Sequence, residues 1–75
     1  MFTCKQLCQL YAKGYRYLIK FENDRIKSLA VKTVAQASEL LWKEYPTEKN
    51  WVVVKFDSDG RQYFAGGNMF TDTTN

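Results

Sequence analysis

Arg25-Ile26-Lys27-Ser28-Leu29-Ala30-Val31-Lys32-Thr33-Val34, running on as AQASELLWKEY to Tyr45, supports two readings. One is a single helix from Arg25 to Tyr45, with Ile26, Ala30, Val34, Ala37, Leu41 and Tyr45 at helical spacing. The other is a strand over 25–32 followed by a helix over 34–45. Two local signals favour the second. Thr33 with Gln36 three positions on is a capping-box signature, placed where the apolar period turns helical. Arg25 and Lys27 would put positive charge on the first turn of the long helix, against its dipole. On this reading the helix buries Val34, Ala37, Leu41 and Tyr45, with Trp42 alongside, and Pro46 stops it.

The flanking segments extend that pattern. Residues 15–22, YRYLIKFE, place Tyr15, Tyr17, Ile19 and Phe21 on one side and the charged Arg16, Lys20 and Glu22 on the other. That alternation is a half-buried strand, with Leu18 as its one exception. Asn23-Asp24 suits a tight hairpin turn. Residues 51–57, WVVVKFD, form a further strand, and Asp57-Ser58-Asp59-Gly60 turns it back into a strand at 61–65. Near the N-terminus, Thr3 with Gln6 caps a short helix at 3–13, and Gly14 suits the position past its end. Residues 68–75 read as a frayed tail. The fold class expected is α+β: one small domain over 1–75, in which an antiparallel sheet of two hairpins packs on a central helix, α-ββαββ.

Composition narrows function. A chain of 75 residues buries only about 60 % of its unfolded surface, which leaves little core for a deep catalytic cleft. No apolar run reaches the roughly 18 residues of a membrane span, and the N-terminus lacks a signal-peptide apolar block. Histidine is absent, and with it the commonest acid–base catalyst and metal ligand. Cys4 and Cys8 share a helical face at a spacing poor for a disulfide, and read as small apolar core residues in a reducing, cytoplasmic compartment. The Asp57 turn resembles the opening of a calcium loop, but Arg61 stands at the fifth ligand position and Asn68 at the twelfth. Gly66-Gly67 lacks the Lys-Ser/Thr and helix of a phosphate loop. Ser28, Ser38 and Ser58 have no histidine partner. No enzyme, metal or cofactor is expected.

Strand alternation then defines a candidate surface. A hairpin turning at Asn23-Asp24 pairs Phe21 with Ile26 and Lys20 with Lys27. The second hairpin pairs Asp57 with Arg61, Lys55 with Tyr63 and Val53 with Ala65. Val52, Val54, Phe56 and Phe64 then face the helix. The open face carries Arg16, Leu18, Lys20, Lys27, Leu29, Val31, Trp51, Val53, Lys55, Arg61 and Tyr63. Within it Arg16, Lys20, Lys27, Trp51, Lys55, Arg61 and Tyr63 form the expected binding surface, cations interleaved with aromatics. Such a face can dock on an acidic protein surface, where Tyr, Trp and Arg dominate the energetics. It can also bind single-stranded nucleic acid by phosphate contacts and stacking, although a net charge of +3 is low for that role. The plainest alternative is a solvated face whose lysines protect a sheet edge, and a homodimer built by edge pairing is a further one.

The aromatic strand, the capped segment with Val31, Thr33, Ala37 and Ser38, and the final Asp-Gly hairpin loosely resemble the small ββαββ proteins found among phage and mobile-element anti-defence inhibitors, including some anti-CRISPR proteins. The resemblance covers about residues 15–65 and is one of pattern. It implies a cytoplasmic, non-enzymatic inhibitor that docks on a nucleic-acid-binding protein complex.

Overall fold

Leu18 and Ile19 are adjacent in sequence and both 0 % exposed, so the strand that holds them is covered on both of its faces. A computed structural model of the chain describes residues 2–68 and shows how. Its elements are α1 (Cys4–Ala12), β1 (Tyr17–Phe21), β2 (Leu29–Val31), α2 (Val34–Lys43), β3 (Trp51–Phe56) and β4 (Gln62–Gly67). The strands form one antiparallel sheet in the order β2-β1-β3-β4, so β1 and β3 join the two hairpins at the centre. The α+β class with a four-stranded antiparallel sheet is as expected. The packing on one central helix is not: α1 covers one face of the sheet and α2 the other.

Each helix buries its own cluster. Leu7 of α1 packs with Leu18 and Phe56, flanked by Leu10, Tyr11, Ala30 and Val54. Ala37 and Leu41 of α2 pack with Ile19, Val31 and Val53, flanked by Tyr17, Phe21, Leu29 and Trp51. Thus Val54 and Phe56 do pack against a helix, but it is α1; Val52 is not part of that cluster, and Phe64, expected with them, is 58 % exposed. The face expected to be open, carrying Trp51, Val53 and Lys55, is the one on which α2 lies.

Local chemistry sets the ends of both helices. Thr3 Oγ1 accepts the Gln6 amide at 3.1 Å and Gln6 Oε1 accepts the Thr3 amide at 2.9 Å, a complete capping box. Gly14, with φ +102, follows the end of α1. Thr33 Oγ1 accepts the Gln36 amide at 3.0 Å, while Gln36 Oε1 reaches one residue further back, to the Lys32 amide at 2.8 Å. Residues 25–45 are therefore a strand followed by a helix. The strand is shorter than 25–32, and the helix ends at Lys43 rather than 45. Val34 and Trp42, expected in the core, are 54 % and 79 % exposed. Cys4 and Cys8 are exposed rather than buried, because the inner face of α1 runs through Leu7, Leu10 and Tyr11; the Cys8 thiol donates to the Ser58 carbonyl at 3.2 Å.

Register accounts for the remaining differences. Ile19 pairs with Leu29 and Tyr17 with Val31, one residue away from the expected alignment of Phe21 with Ile26. Asn23 begins a turn instead of a two-residue hairpin loop: its Oδ1 accepts the Arg25 amide at 3.0 Å and its carbonyl the Ile26 amide at 3.0 Å. A slip of one residue moves a whole strand to the opposite face, and this one brings Leu29 and Val31 under α2. In the second hairpin Lys55 pairs with Tyr63 as expected. A bulge at Val53/Val54 then sets Val53 opposite Gly66 instead of Ala65. The frayed-tail reading of 68–75 lies outside the described residues except at Asn68. There the Trp51 amide donates to Asn68 Oδ1 at 2.7 Å and the Asn68 amide to the Trp51 carbonyl at 3.2 Å.

Candidate functional site

Lys55 and Tyr63 are cross-strand partners, and Tyr17 pairs with Lys55 from the other side. All three therefore project on the α2 face, at the end of the sheet where α2 begins. The β2–α2 connection brings Lys32, Thr33 and Val34 to the same place. Between them opens a cleft of about 860 Å³, walled on its remaining side by Tyr11, Arg16 and Asp57. Tyr63 is 52 % exposed and Lys55 is exposed, so both are accessible along its rim.

The cleft's lining cations Arg16, Lys32 and Lys55 differ in how they are held. Arg16 is committed to the fold. Its Nη1 donates to the carbonyls of Tyr11 and Tyr15, both at 2.8 Å, and its guanidinium carbon lies 3.6 Å from the centroid of the Tyr11 ring. It thereby places positive charge at the C-terminal end of α1, where the dipole favours it. The Arg16 main chain also joins two strands: its amide donates to Val31, and its carbonyl accepts the Phe56 amide. Lys32 reaches over the Tyr15 ring, Nζ 5.5 Å from the centroid. Lys55 projects from the middle of the sheet end. Lys32 and Lys55 are thus the charges available to a partner.

Among the described residues Asp57 is the one carboxylate lining the cleft, and its turn occupies it. Oδ1 accepts the amides of Asp59 at 2.9 Å and Arg61 at 3.0 Å, and Oδ2 accepts the Tyr63 hydroxyl at 3.3 Å. The Arg61 amide bond is the main cause that holds its carboxyl below the usual carboxylate range, assisted by Asp59, Tyr63 and the Arg61 charge. A carboxylate stabilised as the anion serves as a turn clamp and not as a proton donor.

Of the residues expected to form one surface, Arg16, Lys55 and Tyr63 come together here. Trp51 lies on the same face at the opposite end of the sheet, paired with Phe21. Lys20 projects on the α1 side, hydrogen-bonded to the side chain of Gln62. Lys27 is exposed in the segment before β2 and faces no cross-strand lysine, since Lys20 pairs with Val52. Arg61 sits in the β3–β4 turn. A single seven-residue surface is therefore replaced by a cleft at one sheet end. Lys32, Tyr11 and Tyr17 complete it; Lys32 was missed because strand alternation says nothing about a residue between a strand and an N-cap.

Among the described residues there is no cluster of three or more His, Cys, Asp or Glu able to hold a metal ion, and no helix long and apolar enough to cross a membrane. The chain matches no protein-family model, no curated protein and no solved structure.

Proposed function

We propose that this is a small non-enzymatic binding protein that docks an acidic protein partner in the cleft between the start of α2 and the end of the sheet. The observation that carries the reading is the convergence of Lys32 and Lys55 with Tyr17 and Tyr63 around one opening whose only carboxylate among the described residues, Asp57, is tied into its own turn. Tyrosine beside a cation gives a partner both an apolar contact and a charge to neutralise. An inhibitory role, in the manner of phage or mobile-element anti-defence proteins, accords with the strand and helix pattern of residues 15–65. Direct nucleic-acid binding is less well supported. Lys20, Lys27 and Arg61 do not line the cleft, and a strand of nucleic acid needs a basic track along its backbone.

The test is capture of partners from a host lysate by the immobilised protein, with and without nuclease, in parallel with the double variant Lys32→Glu/Lys55→Glu. Capture that survives nuclease and is lost in the variant supports the reading. Capture abolished by nuclease assigns the cleft to nucleic acid instead. Capture unchanged in the variant removes the cleft as the site.

A further inference from the structure

Among the described residues, the α2 face of the sheet is half covered. α2 packs on β1 and β2, and beside it a groove of about 270 Å³ remains between the helix and β4. Val34, Leu41 and Trp42 form its helical wall, and Val53, Ala65 and Gly66 its floor. Three features mark it as built to receive something. Trp42 is 79 % exposed, the residue type that most often anchors an interface. The floor is low: a Cβ on Gly66 would meet nothing within 4 Å. The groove is also continuous with the basic cleft, since Val34 lines both.

The helical wall sets the length of an occupant. From Val34 to Trp42 the wall spans about 12 Å at a helical rise of ~1.5 Å per residue. Along β4 the floor runs only from Ala65 to Gly67, about 7 Å at ~3.3 Å per residue. Helices packed side by side lie about 8–10 Å apart, and a four-stranded sheet with spacings of about 4.8 Å has width for a second one. We infer that the partner contributes an amphipathic helix, which lies beside α2 over β3 and β4 with its acidic end toward Lys32 and Lys55; this rests on the docking function proposed above. About two turns match the length of the wall, and the groove admits side chains from one face of them, so the partner's apolar residues fall at i, i+3 or i+4, and i+7. Charge complementarity fixes the direction, because both accessible lysines stand at the Val34 end. A second copy of this chain fits poorly. Its α1, CKQLCQLYA, carries no acidic residue, and its α2 already forms the wall of its own groove. Pairing of two β4 edges would extend the sheet sideways and leave Val34 and Trp42 uncovered.

A displayed library of random 16-residue peptides, selected on the full chain, tests this. The enriched peptides should carry Leu, Phe or Met at helical spacing, with Asp and Glu gathered at one end. A synthetic representative should gain helical circular dichroism on binding. Gly66→Leu fills the groove where there is open space, and should weaken that peptide at least tenfold without lowering the thermal midpoint; Trp42→Ala should also weaken it. Acidic peptides without the apolar spacing, lost in Lys32→Glu/Lys55→Glu but indifferent to Gly66→Leu, overturn the helix and leave the docking cleft standing. Peptides indifferent to both variants overturn both. A selection that yields no peptide sensitive to Gly66→Leu also overturns the helix, as does self-association abolished by that substitution.

Discussion

Gly60 rests against the backbone of Cys4: a Cβ built on it would stand 3.1 Å from both the Cα and the carbonyl oxygen of Cys4. Its φ of +81 is left-handed as well. The β3–β4 turn is thereby pressed onto the start of α1, and the Cys8 thiol bond to Ser58 lies at the same seam. Gly60→Ala should cost about 1–3 kcal/mol, since it adds strain and forces the turn off the helix. Gly66→Ala is the matched control. Gly66 has open space around it and no left-handed φ, so the shorter list of unfolded conformations should raise stability by about 0.4–1 kcal/mol. Urea denaturation of the two variants should move the midpoint in opposite directions.

Arg16 supplies a second contrast. Lysine keeps its charge but cannot span the Tyr11 and Tyr15 carbonyls from one planar group or stack in the same way on Tyr11. Arg16→Lys should therefore lower stability by about 1–2 kcal/mol. Lys32→Glu/Lys55→Glu should leave the midpoint nearly unchanged and act on binding. Calorimetric melting of both variants checks the division. A destabilised double variant beside an unaffected Arg16→Lys would reverse the assignment of structural and binding charge.

The parts of this fold that were legible in the sequence are those fixed by neighbouring residues. Thr3 with Gln6 and Thr33 with Gln36 mark both helix starts because a capping bond spans three residues. Gly60 gives the second hairpin its register, and so the adjacency of Lys55 and Tyr63. The first hairpin has no such marker. Asn23-Asp24 reads as a two-residue loop, whereas residues 22–28 form a longer connection, and the one-residue shift carries Leu29 and Val31 to the other face. The second helical layer had one signal, Leu18 breaking the alternation of β1, and its meaning emerges only when α1 is seen to cover that face. In the candidate site the strand residues Lys55 and Tyr63 could be placed by alternation. Arg16 and Lys32 lie in irregular connections, where their positions depend on tertiary contacts with Tyr11 and Tyr15.

Thr33 closes the start of α2 and stands in the wall of the candidate cleft. Thr33→Ala removes the acceptor for the Gln36 amide and should cost about 0.5–2 kcal/mol, whereas Thr33→Ser, which keeps the oxygen, should recover most of it. The same pair separates fold from function. If loss of the cap frays the first turn of α2, Val34 moves and partner affinity falls in Thr33→Ala but not in Thr33→Ser. Amide hydrogen exchange at Ala35 and Gln36 would report the fraying directly.

Asp57 makes the stability of the β3–β4 turn depend on acid. Its carboxyl lies below the usual 3.8, chiefly through the Arg61 amide bond, with the Asp59 amide, the Tyr63 hydroxyl and the Arg61 charge adding to it. A group whose pKa is lower folded than unfolded stabilises the folded state in full above its unfolded value, and that contribution is lost as pH falls through the folded value. Asp57→Asn retains an oxygen for the two amides but no charge, so it isolates the ionised form. The wild type should be more stable than Asp57→Asn by a constant margin at about pH 5–7, and the margin should close as pH falls below about 4. Denaturation midpoints of the two proteins across that range provide the check. A margin that persists unchanged to about pH 2 would show that the charge at Asp57 contributes nothing and that its hydrogen-bonding geometry alone holds the turn.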